Sequence, residues 1–150
     1  MLVLIGILMS RQVENIIGIE MCESAIKDAR INAKLNNVQN AKWICDKVED
    51  VIYDIDFSIY SSVSVILDPP RSGVPSSVTQ CLRKCSKLQQ LIYVACNLKS
   101  ASSNITELTR PTSKRYSGLP FKLVECQPVD LFPHTPHCEV VLHFKREIHP

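Results

Sequence analysis

The sequence predicts an α/β protein with a mostly parallel sheet, helices on both faces and an antiparallel C-terminal hairpin. Short β-branched runs alternate with helical patterns along most of the chain, which is typical of repeated strand-helix units. The last two apolar runs have no helix between them, so they should pair as a hairpin at one edge of the sheet. The length of 150 residues suits one domain, with the 45% hydrophobic and 21% charged residues of a globular protein.

Each element follows from its own local pattern. Strands are predicted where apolar runs are short and bounded by turn residues, at Ile16–Ile19, Ala41–Cys45, Val63–Leu67, Leu91–Ala95, Phe121–Val129 and Glu139–Phe144. Helices are predicted where apolar or small residues recur at helical spacing, at Glu23–Asn37, Val74–Leu88 and Lys99–Leu108. The Asn36-Asn37 pair should end the first of these, and Ser76 or Ser77 should cap the second. This layout is that of an S-adenosylmethionine methyltransferase more than that of a nicotinamide enzyme.

The apolar start of the chain, Met1 to Met9, is predicted to be a core helix. It superficially resembles a signal sequence, but it lacks a positively charged start and a small-residue cleavage site. It is also far shorter than a membrane span. Seven cysteines, an odd number without regular spacing, argue against a secreted disulfide framework. We therefore expect a reducing compartment, the cytosol or the nucleus.

The net charge of +2 gives no nucleic-acid footprint for the chain as a whole, so a basic patch would have to be local. The C-terminal half is mildly basic through Arg110, Lys114, Arg115 and Lys122. These residues leave room for such a patch, and the alternative is an ordinary solvated loop.

Two predicted strands end in residues that carry chemistry. The strand that includes Ile66 and Leu67 ends in Asp68-Pro69-Pro70-Arg71, and the prolines close it because they lack an N–H group. A second strand ends at Cys96, just before a helix, where a thiolate can be stabilised. Ligands bind at the carboxyl ends of strands in open α/β sheets. A carboxylate and a thiol at two such ends predict one active-site rim, and hence an enzyme.

Other candidates are weighed against plainer interpretations. Glu20 ends a strand and can accept hydrogen bonds from ribose hydroxyls, although an acid is also favoured at a helix start for electrostatic reasons. Glu139 opens the last strand and could act as a general base; an acid there is otherwise solvated. For Cys96 the alternative is a buried structural cysteine, an interpretation that suits Cys22, Cys45 and Cys126 better.

A metal site is not predicted. His134, His137 and Cys138 cluster in sequence, but a fourth ligand at metal spacing is missing. His137 and Cys138 are also adjacent on a presumed extended chain, so their side chains should point apart.

The tetrapeptide Asp68-Pro69-Pro70-Arg71 resembles the Asp/Asn-Pro-Pro-aromatic signature of methyltransferases that act on exocyclic amines. In those enzymes the aromatic residue stacks on a flipped base. Arg71 cannot do this in the same way, so the target should be something other than an amine.

Three ordered motifs resemble the RNA (uracil-5-)-methyltransferases. They are Asp68-Pro69-Pro70-Arg71, Tyr93-Val94-Ala95-Cys96-Asn97 and the stretch from Val129 to Glu139, and together they extend from residue 68 to residue 139. The resemblance implies a Rossmann-like class I fold, S-adenosyl-L-methionine as cofactor and an RNA substrate. The implied target is the T-loop uridine of tRNA, flipped out of its stack, with ribosomal RNA as the alternative.

The resemblance also implies roles for individual residues. Cys96 would be the nucleophile that adds to C6 of uracil, and Glu139 the general base that removes the C5 proton. Glu20 would hold the ribose of the cofactor, and Asp68 would belong to the cofactor-binding set beside the target base. Neither a membrane nor a metal is implied. Methylation of cytosine at C5 uses similar thiol chemistry, but its cysteines ordinarily stand beside proline in a different loop.

The chain departs from the family at its start and after the catalytic motif. Met1 to Gly6 would align with the end of the family's glycine-rich loop, so the first strand and the loop itself are missing. Leu98 also stands where family members usually have proline. We therefore expect residues 1–150 to be a partial methyltransferase catalytic domain with two exposed strand edges. Such a chain should be poorly stable and inactive alone, and the alternative is a non-catalytic remnant.

Overall fold

The computed structural model describes residues 2–135 and 137–146. Met1, in the predicted first helix, and Pro136, in the third motif, lie outside the described residues. The chain forms two compact units, Met1–Asp54 and Ile55–Pro150. Within the described ranges, no helix combines the length and the apolar character needed to cross a membrane.

The first unit contains one pair of strands and four helical segments. Its elements are α1 (Leu2–Met9), β1 (Ile16–Glu20), α2 (Glu23–Leu35), β2 (Ala41–Cys45), α3 (Val48–Val51) and a 3-10 turn (Ile52–Asp54). β1 and β2 pair in parallel, from Ile16 opposite Ala41 to Glu20 opposite Cys45. The predicted end of α2 is confirmed, because Asn36 is its C-cap and Asn37 has a left-handed φ of 55°.

The first helix forms as predicted, but its prediction as a core helix is wrong. Leu4 is 61% exposed and Leu8 67% exposed, and no described side chain from Leu4 to Met9 is buried. The physical reason is that α1 is apolar on every side, whereas neighbouring elements cover only part of a helix surface. Periodicity could not reveal this, because a uniformly apolar helix has no polar face.

The second unit contains a four-stranded sheet with two helices. A 3-10 turn (Phe57–Ile59) precedes β3 (Val63–Leu67), α4 (Ser76–Lys84), β4 (Leu88–Ala95), α5 (Leu98–Thr109), β5 (Lys122–Val129) and β6 (Glu139–Lys145). The strand order is β3-β4-β6-β5, with β3 and β4 parallel and β6 antiparallel to both β4 and β5. The predicted C-terminal hairpin at one edge is therefore confirmed, and its second strand, β6, joins it to β4.

The helix predicted over 74–88 is shorter than expected. It begins at Ser76 and ends at Lys84, and Leu88 already opens β4. Pro75 occupies the N-cap position without a side-chain bond, so the predicted serine cap is wrong. Instead, the Ser76 hydroxyl donates to Glu107 Oε1 at 2.5 Å. Leu88 and Gln90 pair instead with Val63 and Ser64 of β3, a distant partner that the local helical pattern does not reveal.

The described strands form two sheets where the sequence predicted one. Among residues 2–135 and 137–146, β1 pairs with β2 alone and β3 with β4 alone. Among the described residues, β1 and β3 thus each keep one edge without a strand partner.

A buried arginine organises the region between α5 and β5. Arg83, on α4, is only 1% exposed. Its guanidinium donates to six backbone carbonyls, those of Glu107, Leu108, Arg110, Tyr116, Ser117 and Gly118. These acceptors include the end of α5 and both ends of the following loop, residues 110–118. One charged side chain therefore fixes the loop to α4 through backbone atoms.

A second buried arginine holds the end of the sheet to the same helix. Arg146 donates to the carbonyls of Leu82, Arg83 and Cys85, and its guanidinium lies 4.1 Å from the ring centroid of Phe121. Burial lowers the pKa of Arg146 to about 10. The C-terminal end of β6 is thereby attached to α4 by hydrogen bonds and to the start of β5 by ring stacking.

Replacing Arg83 by methionine should destabilise the protein, because up to six carbonyls would lose a charged donor. We expect a loss of at least about 3 kcal/mol in the free energy of unfolding. Urea unfolding followed by far-UV circular dichroism measures it. Arg115→Met, at an exposed arginine of the same loop, is the matched control and should change stability by less than about 0.5 kcal/mol. Equal effects of the two substitutions would contradict the organising role of Arg83.

Candidate active site

The carboxyl end of β3 leads into a tightly turned loop. Asp68 follows the last residue of β3 and is half-buried, and the two prolines end the strand. The loop closes when Gly73 N donates to the carbonyl of Pro70 at 2.8 Å. Gly73 has a φ of 79°, and a Cβ there would collide with Asn104 Oδ1. This position therefore requires glycine for both its conformation and its space.

The carboxyl end of the neighbouring strand, β4, carries the thiol. Cys96 follows β4 directly and is half-buried, and Asn97 caps α5 by accepting from Ser100 N at 3.2 Å. A small open pocket is lined on one side by Pro69, Pro70 and Arg71 and on the other by Tyr93, Cys96 and Asn97. The structure therefore brings the Asp-Pro-Pro-Arg loop and the thiol to one rim, as the sequence predicted.

Strand register brings Glu139 to the same end of the sheet. β4 and β6 are antiparallel, and the last pair in their register is Ala95 opposite Val140. Cys96 follows Ala95 and Glu139 precedes Val140, so both residues lie directly beyond this last pair, at the same end of the sheet. Glu139 is half-buried and is also paired with Val129 of β5. Three adjacent strands thus place Asp68, Cys96 and Glu139 at the same end of the sheet, where β3 and β4 end and β6 begins.

Asn104 holds the rim together, and the sequence analysis missed it. It lies on α5 and is 3% exposed. Its Oδ1 accepts from Val74 N at 2.9 Å and from the Tyr93 hydroxyl at 3.0 Å, and its Nδ2 donates to Val74 O at 2.8 Å. The side chain therefore ties the loop after β3 to β4 and α5. The available signal was an amide within the buried stripe that Ala101 and Leu108 form on this helix.

Tyr93 lies beneath the rim in an apolar setting. It is 1% exposed, and burial, together with the nearby Cys96 sulfur, raises the pKa of its phenol to about 12. The neutral hydroxyl is therefore maintained over the physiological range and remains a donor to Asn104. This is a positioning network, since it orders backbone around the pocket.

Glu20 lies in the first unit, at the carboxyl end of β1. It is half-buried, and its Oε1 accepts from Cys22 N at 3.0 Å across the turn into α2. The carboxylate is thus held at a strand end that faces a helix start, the position predicted for a ribose-binding acid.

The interpretation of three other cysteines as buried is wrong. Cys22, Cys45 and Cys126 are all exposed, while Cys81 is buried. The reason for Cys126 is that β5 is an edge strand, exposed from Lys122 to Pro128. Cys45 ends β2, and Cys22 opens the first turn of α2.

No cluster suited to a metal ion is found in the described part of the chain. His134, with a φ of 64°, and His137 are both exposed in the loop before β6.

Solved structures show the fold class. An rRNA methylase from Streptococcus thermophilus superimposes with a TM-score of 0.62 over 93% of this chain and 78% of that chain, at 8% identity. A putative methyltransferase from Streptococcus mutans, solved with SAH, gives 0.56 over 91% and 79%, at 14% identity. The chain thus has the Rossmann-like class I methyltransferase fold.

The family follows from sequence comparison. The tRNA (uracil-5-)-methyltransferase family model matches residues 5–147, and this chain belongs to that family. It is 42% identical over 147 residues to human tRNA (uracil-5-)-methyltransferase homolog A, and 33% identical over 147 residues to a putative RNA methyltransferase of Acanthamoeba polyphaga mimivirus. These alignments cover 97% and 95% of this chain but 24% and 36% of the relatives, so the chain spans only part of their length.

Titration of the tyrosines should show one late phase. The chain has four tyrosines, and Tyr93 should ionise near pH 12, above the ordinary value of 10. Folding raises the pKa of Tyr93, so its neutral phenol contributes to the free energy of unfolding. This contribution is complete below pH 10 and is lost as pH rises from 10 through 12. Absorbance at about 295 nm against pH measures the phases, with circular dichroism to verify folding.

The matched variants assign this phase. Tyr93→Phe should remove the late phase, whereas Tyr53→Phe, at a tyrosine that is 55% exposed, should leave it. A late phase that survives in Tyr93→Phe would contradict the assignment.

Proposed function

We propose that this chain carries the catalytic residues of an enzyme that methylates C5 of uridine in RNA, with the T-loop uridine of tRNA as target. The observation that carries the proposal is that Asp68, Cys96 and Glu139 lie at the same end of the four-stranded sheet. The family match and the names of the relatives support the substrate class. Uridines in ribosomal RNA are the alternative target.

Cys96 is the proposed nucleophile. Carbon C5 of uracil is a weak nucleophile, and addition of a thiolate to C6 turns C5 into an enolate carbon. The Cys96 sulfur lies at a pocket that also includes Asn97 at the start of α5. A half-buried thiol at the rim suits this reaction, because a base flipped out of its stack can reach it.

Glu139 is the proposed general base. After methylation, the C5 proton must leave before the C–S bond to Cys96 can break. The carboxylate takes this proton, the C5–C6 double bond re-forms, and the thiolate departs with the methylated base released. Cys96 and Glu139 each adjoin the last pair of the β4–β6 register, Ala95 opposite Val140, and this placement suits two groups that act on adjacent carbons.

The cofactor assigned to this reaction is S-adenosyl-L-methionine, which supplies an electrophilic methyl group when bound. Glu20, at the carboxyl end of β1, has the acceptor oxygens suited to ribose hydroxyls. Asp68, which follows β3 in the second unit, is the other residue that we propose for cofactor binding. The four glycines of this sequence, at 6, 18, 73 and 118, are far apart and do not form a glycine-rich loop.

Substitution of Cys96 by alanine should abolish methyl transfer and the covalent complex with RNA that contains 5-fluorouridine. The full-length protein is incubated with cofactor and this RNA, and the complex is detected as a band of reduced mobility in denaturing gels. Cys126→Ala, at an exposed cysteine of β5, is the control and should retain both activities. A complex that persists in Cys96→Ala would exclude Cys96 as the nucleophile.

Substitution of Glu139 by glutamine should preserve adduct formation but slow its release by about 100-fold or more. Covalent complexes should then accumulate with ordinary uridine RNA, which the wild type releases. Glu125→Gln, at an exposed glutamate of β5, should behave as the wild type. Unchanged turnover in Glu139→Gln would remove its role as base. Absence of both methyl transfer and the covalent complex in the wild type would favour a non-catalytic remnant.

A further inference from the structure

Exposed cations are concentrated at the end of the four-stranded sheet opposite the candidate site, where the parallel strands begin. We name it the basic edge and define it by Lys84, Arg110, Lys114, Arg115, Lys122 and Lys145, all of them exposed. Between Glu107 and Glu125 the sequence has four cations and no acid, although the net charge of the whole chain is only +2. The remaining sequence is therefore net acidic, and the positive charge is local.

The fold, more than the sequence, gathers these cations. Phe121 N donates to the carbonyl of Leu108, which joins the two ends of the loop region, and Lys122 opens β5 opposite Lys145. Lys145 is in turn paired with Gln90, near the start of β4. The basic edge thus lies at the amino ends of the parallel strands. α5 runs from Cys96 toward it for 12 residues, about 18 Å.

The loop that carries three of these cations is held in place. Arg83 fixes its backbone through the carbonyls of Arg110, Tyr116 and Gly118. The guanidinium carbons of Arg110 and Arg115 lie 5.7 and 5.4 Å from the ring centroid of Tyr116. A single ring thus orients two arginines while both remain exposed. An ordered cationic surface loses less entropy on binding an anion than a mobile one.

Two lysines on this edge face each other at a cost. Lys122 and Lys145 are direct partners in the antiparallel register of β5 and β6. Like charges at such positions repel, since their Cβ atoms are about 5 Å apart. A polyanion that bridges them would relieve this repulsion. The pair is thus a second observation, independent of the loop, that points to an anionic ligand.

We propose that the basic edge binds the phosphate backbone of the RNA substrate at a distance from the nucleotide that reacts. The choice of RNA as the polyanion rests on the proposed function. Regularly spaced phosphates suit a surface with several arginines and lysines, because each contact releases condensed counterions. The edge reads no sequence; it adds affinity for a substrate long enough to extend about 20 Å or more from the target uridine.

Salt-dependent binding of a tRNA transcript to the full-length protein tests the proposal. The variant Arg110→Gln/Lys114→Gln/Arg115→Gln keeps the backbone carbonyls that Arg83 uses. It should reduce the slope of log affinity against log salt by about 2 and weaken binding on the order of 10-fold near physiological salt. The control, Lys27→Gln/Arg30→Gln/Lys34→Gln, removes three exposed cations of α2 and should change the slope by less than half as much.

A second variant keeps the test independent of loop folding. Lys122→Gln/Lys145→Gln should reduce the slope by about 1.5 and, because repulsion is removed, should not lower thermal stability. If the loop variant unfolds at a lower temperature than wild type, the salt slope of the double variant Lys122→Gln/Lys145→Gln decides whether the proposal stands. A wild-type slope in the variants, or an equal reduction in the α2 control, would overturn the basic edge. So would binding that depends on these cations only with phosphatidylserine vesicles and not with RNA.

The outcomes also separate this proposal from the proposed function. RNA binding that depends on the basic edge in a protein without methyl transfer would leave the edge standing and overturn the activity. Methyl transfer in a protein whose salt slope is unchanged in both variants would support the proposed activity and overturn the basic edge. Cys96→Ala should bind the transcript with the wild-type slope.

Discussion

The register of β4 with its two neighbours is the constraint on which the candidate site depends. β3 pairs with β4 in parallel, which brings Asp68 to the same edge as Cys96, and β6 pairs with β4 in the opposite direction, which brings Glu139 there. A slip of one residue in the second pairing would turn Val140 and its alternating neighbours away from the core and Glu139 away from the thiol. The buried residues Leu142 and Phe144 oppose such a slip. Core packing thus fixes the spacing of the reactive groups.

Polar hydrogen bonds then complete what strand register leaves open. Register places strand ends but does not shape the loop after Asp68, where prolines supply no N–H donors. Asn104 satisfies both backbone groups of Val74, and the neutral Tyr93 hydroxyl bonds the same amide oxygen. Buried amides are costly unless satisfied, so this side chain has one favourable arrangement. The loop is consequently ordered by the strand and the helix that also carry the thiol.

Local sequence signals predicted the strands and the residues at their ends, and failed where distant partners decide. The bounds Ala41–Cys45 and Val63–Leu67 were correct, since short, largely apolar runs with turn residues on either side specify strands locally. The partners of Asn104 and Arg83 could not be predicted, because they lie some 30 residues away in sequence. The 74–88 prediction failed for the same reason. Candidate site residues could be proposed from sequence because chemistry limits their types, whereas the residues that position them depend on tertiary contacts.

The two buried arginines show how the second unit can present two separate surfaces, the candidate site and the basic edge, at opposite ends of its strands. Arg83 and Arg146 bind backbone carbonyls, so they fix the course of the chain and leave the exposed side chains free to vary. Their positive charges are used inside the unit, and the lowered pKa of Arg146 reflects the cost of burying that charge. These bonds use backbone carbonyls and not the side chains of the basic edge, while the groups at the carboxyl ends of the strands depend on register. The proposed binding of a long polyanion and the proposed chemistry on one base would then be able to change independently.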